Sequence, residues 1–301
     1  MPFFSIIIPT YNRSEKLKNT ITSVLNQTFE DFELLIMDDG STDDTETVVK
    51  SFNDTRVLYT WESNSGGPAT PRNRGIKIAK GQWISFLDAD DLWYPQRLMI
   101  VFNSIKKFPN SDVFCHNEML HNWDSKIKSP IFYGPFTKNF YENLLKRGNC
   151  LSTSATTIRN SLINKYNIEF NISEDYVIVE DYDFWLKLAF HNAYFYFIPD
   201  VLGEYVIQND NISHDNYKSY KSEKNVLKNH VYNVQKFDPN KNKLWKKIYV
   251  RMELGKLINK FKWNEIFDFI CCFIKITYKY HIYILPHIYH KINRRLFYIN
   301  K

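Results

Sequence analysis

The sequence predicts an α/β fold: a mostly parallel, doubly wound, Rossmann-like sheet flanked by helices, with a helical extension at the C-terminal end. Three observations predict it. Short apolar runs of strand-forming residues alternate with stretches of helical periodicity through the first half of the chain. Each run ends in polar or acidic residues, where open α/β sheets gather their ligands. From about residue 216 the pattern turns helical, Lys-rich and Tyr-rich. The expected domains are therefore 1–215 and 216–301.

The elements follow in order. Phe3–Ile8 reads as a buried strand stopped by Pro9. Asn12 with Glu15 three residues on signals a helix start, and Leu17, Ile21, Val24 and Leu25 mark that helix's inner face. Phe32–Met37 is a second strand, ending in the turn and cap cluster Asp38-Asp39-Gly40-Ser41-Thr42-Asp43. A helix with Thr45, Val48, Val49 and Phe52 inward precedes a third strand, Val57–Trp61. The loop Asn64-Ser65-Gly66-Gly67-Pro68 leads to a helix from about Pro71 to Ala79. Trp83–Leu87 is the central strand, and Asp88-Ala89-Asp90-Asp91 closes it. Pro95 opens the next helix, in the first-turn position that proline favours. Val113–Cys115 is a further strand; 117–150 is expected to hold a hairpin and a loop. Leu151–Ile158 reads as a polar strand, Val177–Leu188 as an acidic turn entering a helix, and Ala193–Phe197 as a short aromatic strand.

Charge is unevenly spread. Of 39 Lys+Arg and 33 Asp+Glu, residues 215–301 hold 19 and 6, leaving 20 and 27 in residues 1–214. An acidic front with a basic tail points to a surface-binding C-terminal region and away from a nucleic-acid binder. The four cysteines include no C-x-x-C pair and are too few for a disulfide framework, which suggests a reducing cytoplasm. No signal peptide is visible, and no segment reaches eighteen charge-free apolar residues.

Three carboxylates in four positions at a strand end are costly unless something positive sits there, and a divalent metal suits their hard oxygens. A nucleotide in the same crevice would find a ring at Tyr11, acceptors at Asp38, Asp39 and Asp88, and a metal at Asp90. Other readings stand beside these. Tyr11 suits a packed loop, Asp38-Asp39 a helix cap, and Arg72 a solvated helix face as well as a contact to phosphate or base. In Glu180-Asp181-Tyr182-Asp183 the acids offer either a general base or an N-terminal cap, with Asp183 placed to pair with Lys187 at i+4. Neither a P-loop nor a dinucleotide fingerprint is present.

Taken together, Phe4–Thr10 with Tyr11-Asn12-Arg13, then Asp38–Asp43, Gly67-Pro68-Ala69 with Arg72–Gly75, Phe86–Asp91 and Glu180–Leu186 resemble the family 2 glycosyltransferases of the GT-A fold. The likeness covers roughly residues 3–214. It implies inverting transfer of a sugar from a nucleotide-diphosphate donor, UDP-linked by expectation, to a saccharide or lipid-linked saccharide in cell-surface glycan synthesis. It implies a nucleotide site from Pro9, Thr10, Tyr11, Arg13, Asp38, Asp39, Gly67, Arg72, Asp88 and Ala89. Within that site Asp39 faces the base and Asp88 the ribose. It further implies Mn²⁺ or Mg²⁺ on Asp90, Asp181 as the base that deprotonates the acceptor, and Glu180 orienting the acceptor, with Asp183 on the helix surface.

The chain departs from that pattern in one place. Many relatives carry Tyr-Arg-x-His after the last strand; here the stretch is Tyr205-Val206-Ile207-Gln208, and His214 stands nearby as a substitute metal ligand or a surface histidine. The tail 266–301 mixes Phe, Ile and Tyr with Lys and Arg, with Pro286 dividing it. It suits an anionic membrane surface or an aromatic core helix. The expected location is cytoplasmic, with the inner face of the membrane open to it through this tail. A sugar-phosphate nucleotidyltransferase and a non-catalytic membrane-surface protein are the alternatives. The first needs a Gly- and Lys-rich loop that Pro9–Arg13 lacks, and the second has no need of the acids at Asp88, Asp90 and Asp181.

Overall fold

The computed structural model describes residues 1–207, 216–235 and 240–260. It divides into two units: Met1–Lys138 with Cys150–His214, and Asn139–Asn149 with Asp215–Lys301.

In the first unit, β1 (Phe4–Thr10), β2 (Phe32–Asp38), β3 (Val57–Trp61) and β4 (Trp83–Phe86) form the parallel half of one sheet, ordered β3-β2-β1-β4. Ile6 pairs with Leu34 on one side and Ser85 on the other. Both faces of β1 are covered, so its whole length is buried, as its unbroken apolar run requires. The strand runs through Pro9 to Thr10 instead of stopping before it. Pairing with β4 ends at Ile7, so the missing N–H of Pro9 falls where no ladder bond is asked of it.

Helices α1 (Ser14–Leu25), α2 (Thr45–Lys50) and α3 (Ala69–Ile78) make the crossovers. Asn12 does not cap α1. Its backbone is left-handed at φ 49°, and its side-chain oxygen accepts from Thr42 N at 2.8 Å. Asp43 Oδ2 instead accepts from Ser14 N at 3.1 Å, so the loop after β2 caps the helix after β1. A Cβ on Gly75 would stand 2.6 Å from Ile7 Cγ2. That close approach of α3 to β1 brings Arg72 and Arg74 to the strand ends.

The rest of the sheet is mixed. β8 (Thr156–Arg159) enters antiparallel between β4 and β6 (Val113–Asn122). β9 (Phe195–Ile207) runs parallel to β6, β7 (Lys128–Ile131) hairpins onto β6, and β5 (Leu92–Trp93) lies antiparallel to β9. The short strand expected at 193–197 is thus the start of a 13-residue one. Of the polar stretch 151–158 only its end is strand, because Ser154 serves the acidic turn described below. Helix α4 (Arg97–Lys107) follows β5. Helices α6 (Asn160–Tyr166) and α7 (Glu180–Phe190) complete the unit.

The described residues of the second unit are helical: α5 (Phe140–Arg147), α8 (Asn216–Asn229), a π-helical turn at His230–Val234, and α9 (Lys241–Lys260). Helix α5 was not foreseen in the irregular stretch 117–150. It packs on α9, and Tyr141 Oη meets His230 Nδ1 at 2.9 Å in the interior. Among the described residues no helix is long and apolar enough to cross a membrane.

Candidate active site

The carboxyl ends of β2, β1 and β4 lie side by side, and each delivers its polar residues to one edge. Asp39 N donates to Thr10 O at 2.9 Å and Leu87 N to Ile7 O at 3.0 Å, so Asp39 and Asp88 flank Pro9-Thr10. Pro9, Thr10 and Ala89 are buried, whereas the Tyr11 ring is 48% exposed at the rim.

The two acids after β2 do different work. Asp38 was expected to offer an open acceptor, but it is fully buried and both oxygens are engaged: Ser41 N donates to Oδ1 at 2.8 Å and Tyr59 Oη to Oδ2 at 2.7 Å. It shapes the turn. Asp39 is buried as well, at 3% exposure, and both its oxygens are engaged, Oδ1 by Arg74 Nη2 at 2.5 Å and Oδ2 by Ser65 N at 2.9 Å. Ser65 belongs to the glycine loop, where Gly66 at φ 88° is the position that needs glycine. A Cβ on Gly67 would make only ordinary contact with Val177, at 3.9 Å.

Arg72 is the centre of the charge arrangement. It is 3% exposed, which excludes the solvated helix face. Nη2 donates to Asp88 Oδ1 at 2.6 Å and Nη1 to Glu180 Oε1 at 2.8 Å, while Phe170 lies 5.3 Å from the guanidinium carbon. Burial opposes its charge; Asp88 and Glu180 more than offset this and hold its pKa above the ordinary value. Its placement rests on Asn73, whose amide exchanges two 2.8 Å hydrogen bonds with the Phe170 backbone. Phe170 stacks on Phe184 of α7, ring centres 4.1 Å apart, so α3 and α7 are joined through one aromatic pair.

Glu180 and Asp181 open α7. Glu180 is buried, and its Oε2 has no protein partner. Asp181 is half-buried; burial, then the charge of Glu180, push its carboxyl up to about 7 against the pull of Arg72. Asp183 does not face the helix surface as expected. It is 1% exposed, with Lys187 Nζ 2.7 Å away, the i+4 ion pair that the sequence allowed.

The turn after β4 splits its three acids by role. Asp88 N donates to Ser154 Oγ at 3.1 Å, and Ser154 Oγ donates to Asp91 Oδ2 at 2.5 Å. Asp91 is buried and accepts from Val206 N at 2.9 Å, which ties the turn to β9. Asp90 is half-buried, with Arg13 Nη1 4.0 Å away. Burial and then Asp88 raise its pKa, while Arg13 and Lys16 oppose.

Beneath this turn lies a group that the sequence did not reveal. Glu118 of β6 is fully buried; Tyr133 Oη donates to Oε2 at 2.7 Å, and burial lifts its pKa to about 7. Arg97 is fully buried beside it, donating to Ser85 Oγ at 3.0 Å, Thr157 Oγ1 at 2.8 Å and His116 Nε2 at 3.3 Å, with the Trp93 ring 3.7 Å from its guanidinium carbon. Burial holds its pKa down at about 9 and that of His116 down at about 3, so His116 is neutral.

A family model described as glycosyl transferase family 2 matches residues 5–166, which takes in every one of these elements up to α6. The chain belongs to glycosyl transferase family 2. Among similar members is an uncharacterized glycosyltransferase of Rickettsia typhi, RT0329, 34% identical over 201 residues, 64% of this chain and 61% of that one. This chain therefore spans about three fifths of RT0329 (61% of its length). Another is the UDP-Glc:alpha-D-GlcNAc-diphosphoundecaprenol beta-1,3-glucosyltransferase WfgD of Escherichia coli, 32% identical over 231 residues, 76% of this chain and 87% of that one. A crystal structure of Staphylococcus aureus TarS 1-349 in complex with UDP-GlcNAc superposes with a TM-score of 0.68 at 22% identity, covering 92% of this chain and 80% of that one. That likeness is one of fold, and the fold is GT-A.

Membership of this family speaks against the nucleotidyltransferase alternative. Of the residues expected for a family 2 site, Asp39, Arg72, Asp88, Asp90, Glu180 and Asp181 come together at the strand ends and the start of α7. Tyr205–Ile207 form the end of β9, whereas Gln208, His214 and the tail 266–301 lie outside the described residues. Among the described residues no group of three or more His, Cys, Asp or Glu side chains converges as a metal cage. A divalent ion still suits the site. Asp90 offers a hard oxygen whose charge is underbalanced by Arg13 and Lys16, and such ions commonly take one or two carboxylates and complete their shell with phosphate oxygens and water.

Proposed function

We propose that this chain transfers a sugar, with inversion, from a nucleotide-diphosphate donor to a hydroxyl of a saccharide or lipid-linked saccharide in surface-glycan synthesis. One observation carries the reading: the Arg72 fork joins Asp88, at the donor-side strand end, to Glu180, at the start of the acceptor-side helix. A donor lying across the strand ends has its base at Asp39 and Tyr11 and its ribose at Asp88. Pro9, Thr10, Arg13, Gly67, Arg72 and Ala89 line its path, and Asp38 holds the loop. Asp90 would hold Mn²⁺ or Mg²⁺, which when bound stabilises the charge on the departing diphosphate.

Asp181 takes the proton of the acceptor hydroxyl as that oxygen attacks the anomeric carbon and the bond to the diphosphate breaks. A carboxyl near pH 7 suits this work, since a base is most useful when its pKa lies close to the operating pH. Glu180, anchored by Arg72, orients the acceptor. The names of WfgD and of the TarS complex favour a UDP-linked donor, and that of WfgD a diphospholipid-linked acceptor. Such an acceptor places the enzyme at the inner face of the membrane, reached from the cytoplasm.

The test is a donor screen: purified full chain, Mn²⁺, a panel of UDP-, GDP- and dTDP-sugars, and a GlcNAc-diphospholipid acceptor, with detection of released nucleotide diphosphate. Acceptor-dependent release of UDP from one donor is expected. Failure to release nucleotide diphosphate from any donor in the panel would overturn the reading.

A further inference from the structure

The second unit carries a feature that glycosyl transfer does not use. Helices α8 and α9 meet along a seam of paired side chains. Lys256 Nζ stands 4.8 Å from the centre of the Tyr220 ring, Lys224 Nζ 5.4 Å from that of Tyr249, and Lys228 Nζ 5.7 Å from that of Trp245. One turn further, Tyr232 Oη donates to Asn242 Oδ1 at 3.1 Å. Partners descend along α9 as they climb along α8, so the helices are antiparallel. The Tyr232, Trp245 and Tyr249 rings follow one another at 6.2 and 6.4 Å. None of these rings is fully buried, and Lys221, Lys246 and Lys247 are exposed next to them.

Helices α8 and α9 carry one glutamate each against several lysines. Glu223 pairs with Arg251 at 2.7 Å, and Glu253 accepts from Tyr220 Oη. What remains is a row of ammonium groups over half-buried aromatic rings.

We propose that this seam is a docking surface for the phosphate headgroups of an anionic lipid bilayer. Sugars and unpaired bases bind aromatic side chains through open ring faces, but here an ammonium already covers the faces of Tyr220, Tyr249 and Trp245. The charges and the ring edges are what the seam presents. Tyr and Trp with flanking Lys is the composition that settles at headgroup level, where the rings lie among the glycerol groups and the lysines reach the phosphates. The inference deepens the proposed function, because an acceptor carried on a membrane lipid has to be met at that surface.

The experiment is vesicle sedimentation of the full chain without donor or acceptor, so failure of the donor screen leaves it intact. Vesicles of phosphatidylglycerol and phosphatidylethanolamine in equal parts are compared with phosphatidylcholine alone. The parent is expected to pellet with the anionic vesicles, and less so as salt rises. The quadruple variant Lys221→Gln/Lys224→Gln/Lys228→Gln/Lys246→Gln, with an unfolding midpoint like the parent's, should partition about 600-fold more weakly, at about fivefold per lysine. Equal binding by parent and variant would move the contact off this seam. Equal pelleting with phosphatidylcholine, no pelleting at all, or capture of single-stranded RNA in preference to vesicles would each overturn the proposal.

Discussion

Asp181→Asn separates catalysis from stability at a single atom pair. In the folded chain the Asp181 carboxyl titrates near about 7 instead of 3.8, because burial and the neighbouring Glu180 disfavour its anion. Folding therefore binds a proton between those values, and the native state loses stability as pH rises from about 4 to about 7. At 1.36 kcal/mol per pH unit the displacement amounts to at most about 4 kcal/mol. The carboxylate is half-buried, and screening by solvent reduces this to about 1–2 kcal/mol. Asparagine carries no charge to penalise. The variant should be more stable than the parent by that amount at pH 8, and by less at pH 5. Urea unfolding at the two pH values measures both differences. The same substitution should lower turnover by about 10²–10⁴, the usual worth of a general base. The parent's turnover should fall as pH drops below about 7, where the base becomes protonated. Asp183→Asn, which loses the Lys187 ion pair, should cost far less turnover. A stability gain that does not depend on pH, together with retained turnover, would refute the placement of Asp181 among these charges and its role as base.

Arg72→Met removes the cation shared by Asp88 and Glu180 and leaves a buried carboxylate without it; a loss of about 3–5 kcal/mol is expected at pH 8, and Arg72→Met/Glu180→Gln should recover part of it in the same unfolding assay. Asp90→Asn should keep the fold, by circular dichroism, while calorimetric titration with UDP loses its enhancement by Mn²⁺; unchanged affinity would remove Asp90 from the metal. Glu118→Gln should raise stability at pH 8 relative to pH 5, because burial raises the pKa of this carboxyl to about 7 and a neutral amide escapes that cost; an equal change at both pH values would count against a buried acid there.

Much of the catalytic unit is local and was therefore legible in the chain alone. Phe4–Ile8 is an unbroken apolar run because a strand covered on both faces has no polar side to show. Asp39, Asp88, Asp90 and Asp181 sit directly after strands or at a helix start, and such positions are visible as acids that interrupt apolar patterns. Family-wide motifs in fixed order then gave those acids a common site. What the chain could not disclose depends on which residues meet across long separations. Arg72 and Glu180 are 108 positions apart, and only packing of α3 and α7 through Phe170 and Phe184 shows the arginine to be buried and shared. Asp38 and Asp39 are neighbours of the same type, yet Tyr59 and Ser41 take the first while Arg74 and Ser65 take the second. Asp91 looks like a third site acid until Val206, 115 positions away, claims its oxygen. Ser154 reads as strand because it lies in a Thr-rich stretch, whereas it is taken by the acidic turn. Glu118 gave no signal, since a single glutamate in a mixed stretch is normally solvated. It lies where β7 and β9 flank β6, opposite Ile131 of β7, and strand pairing is a property of the assembled sheet that sequence periodicity does not encode.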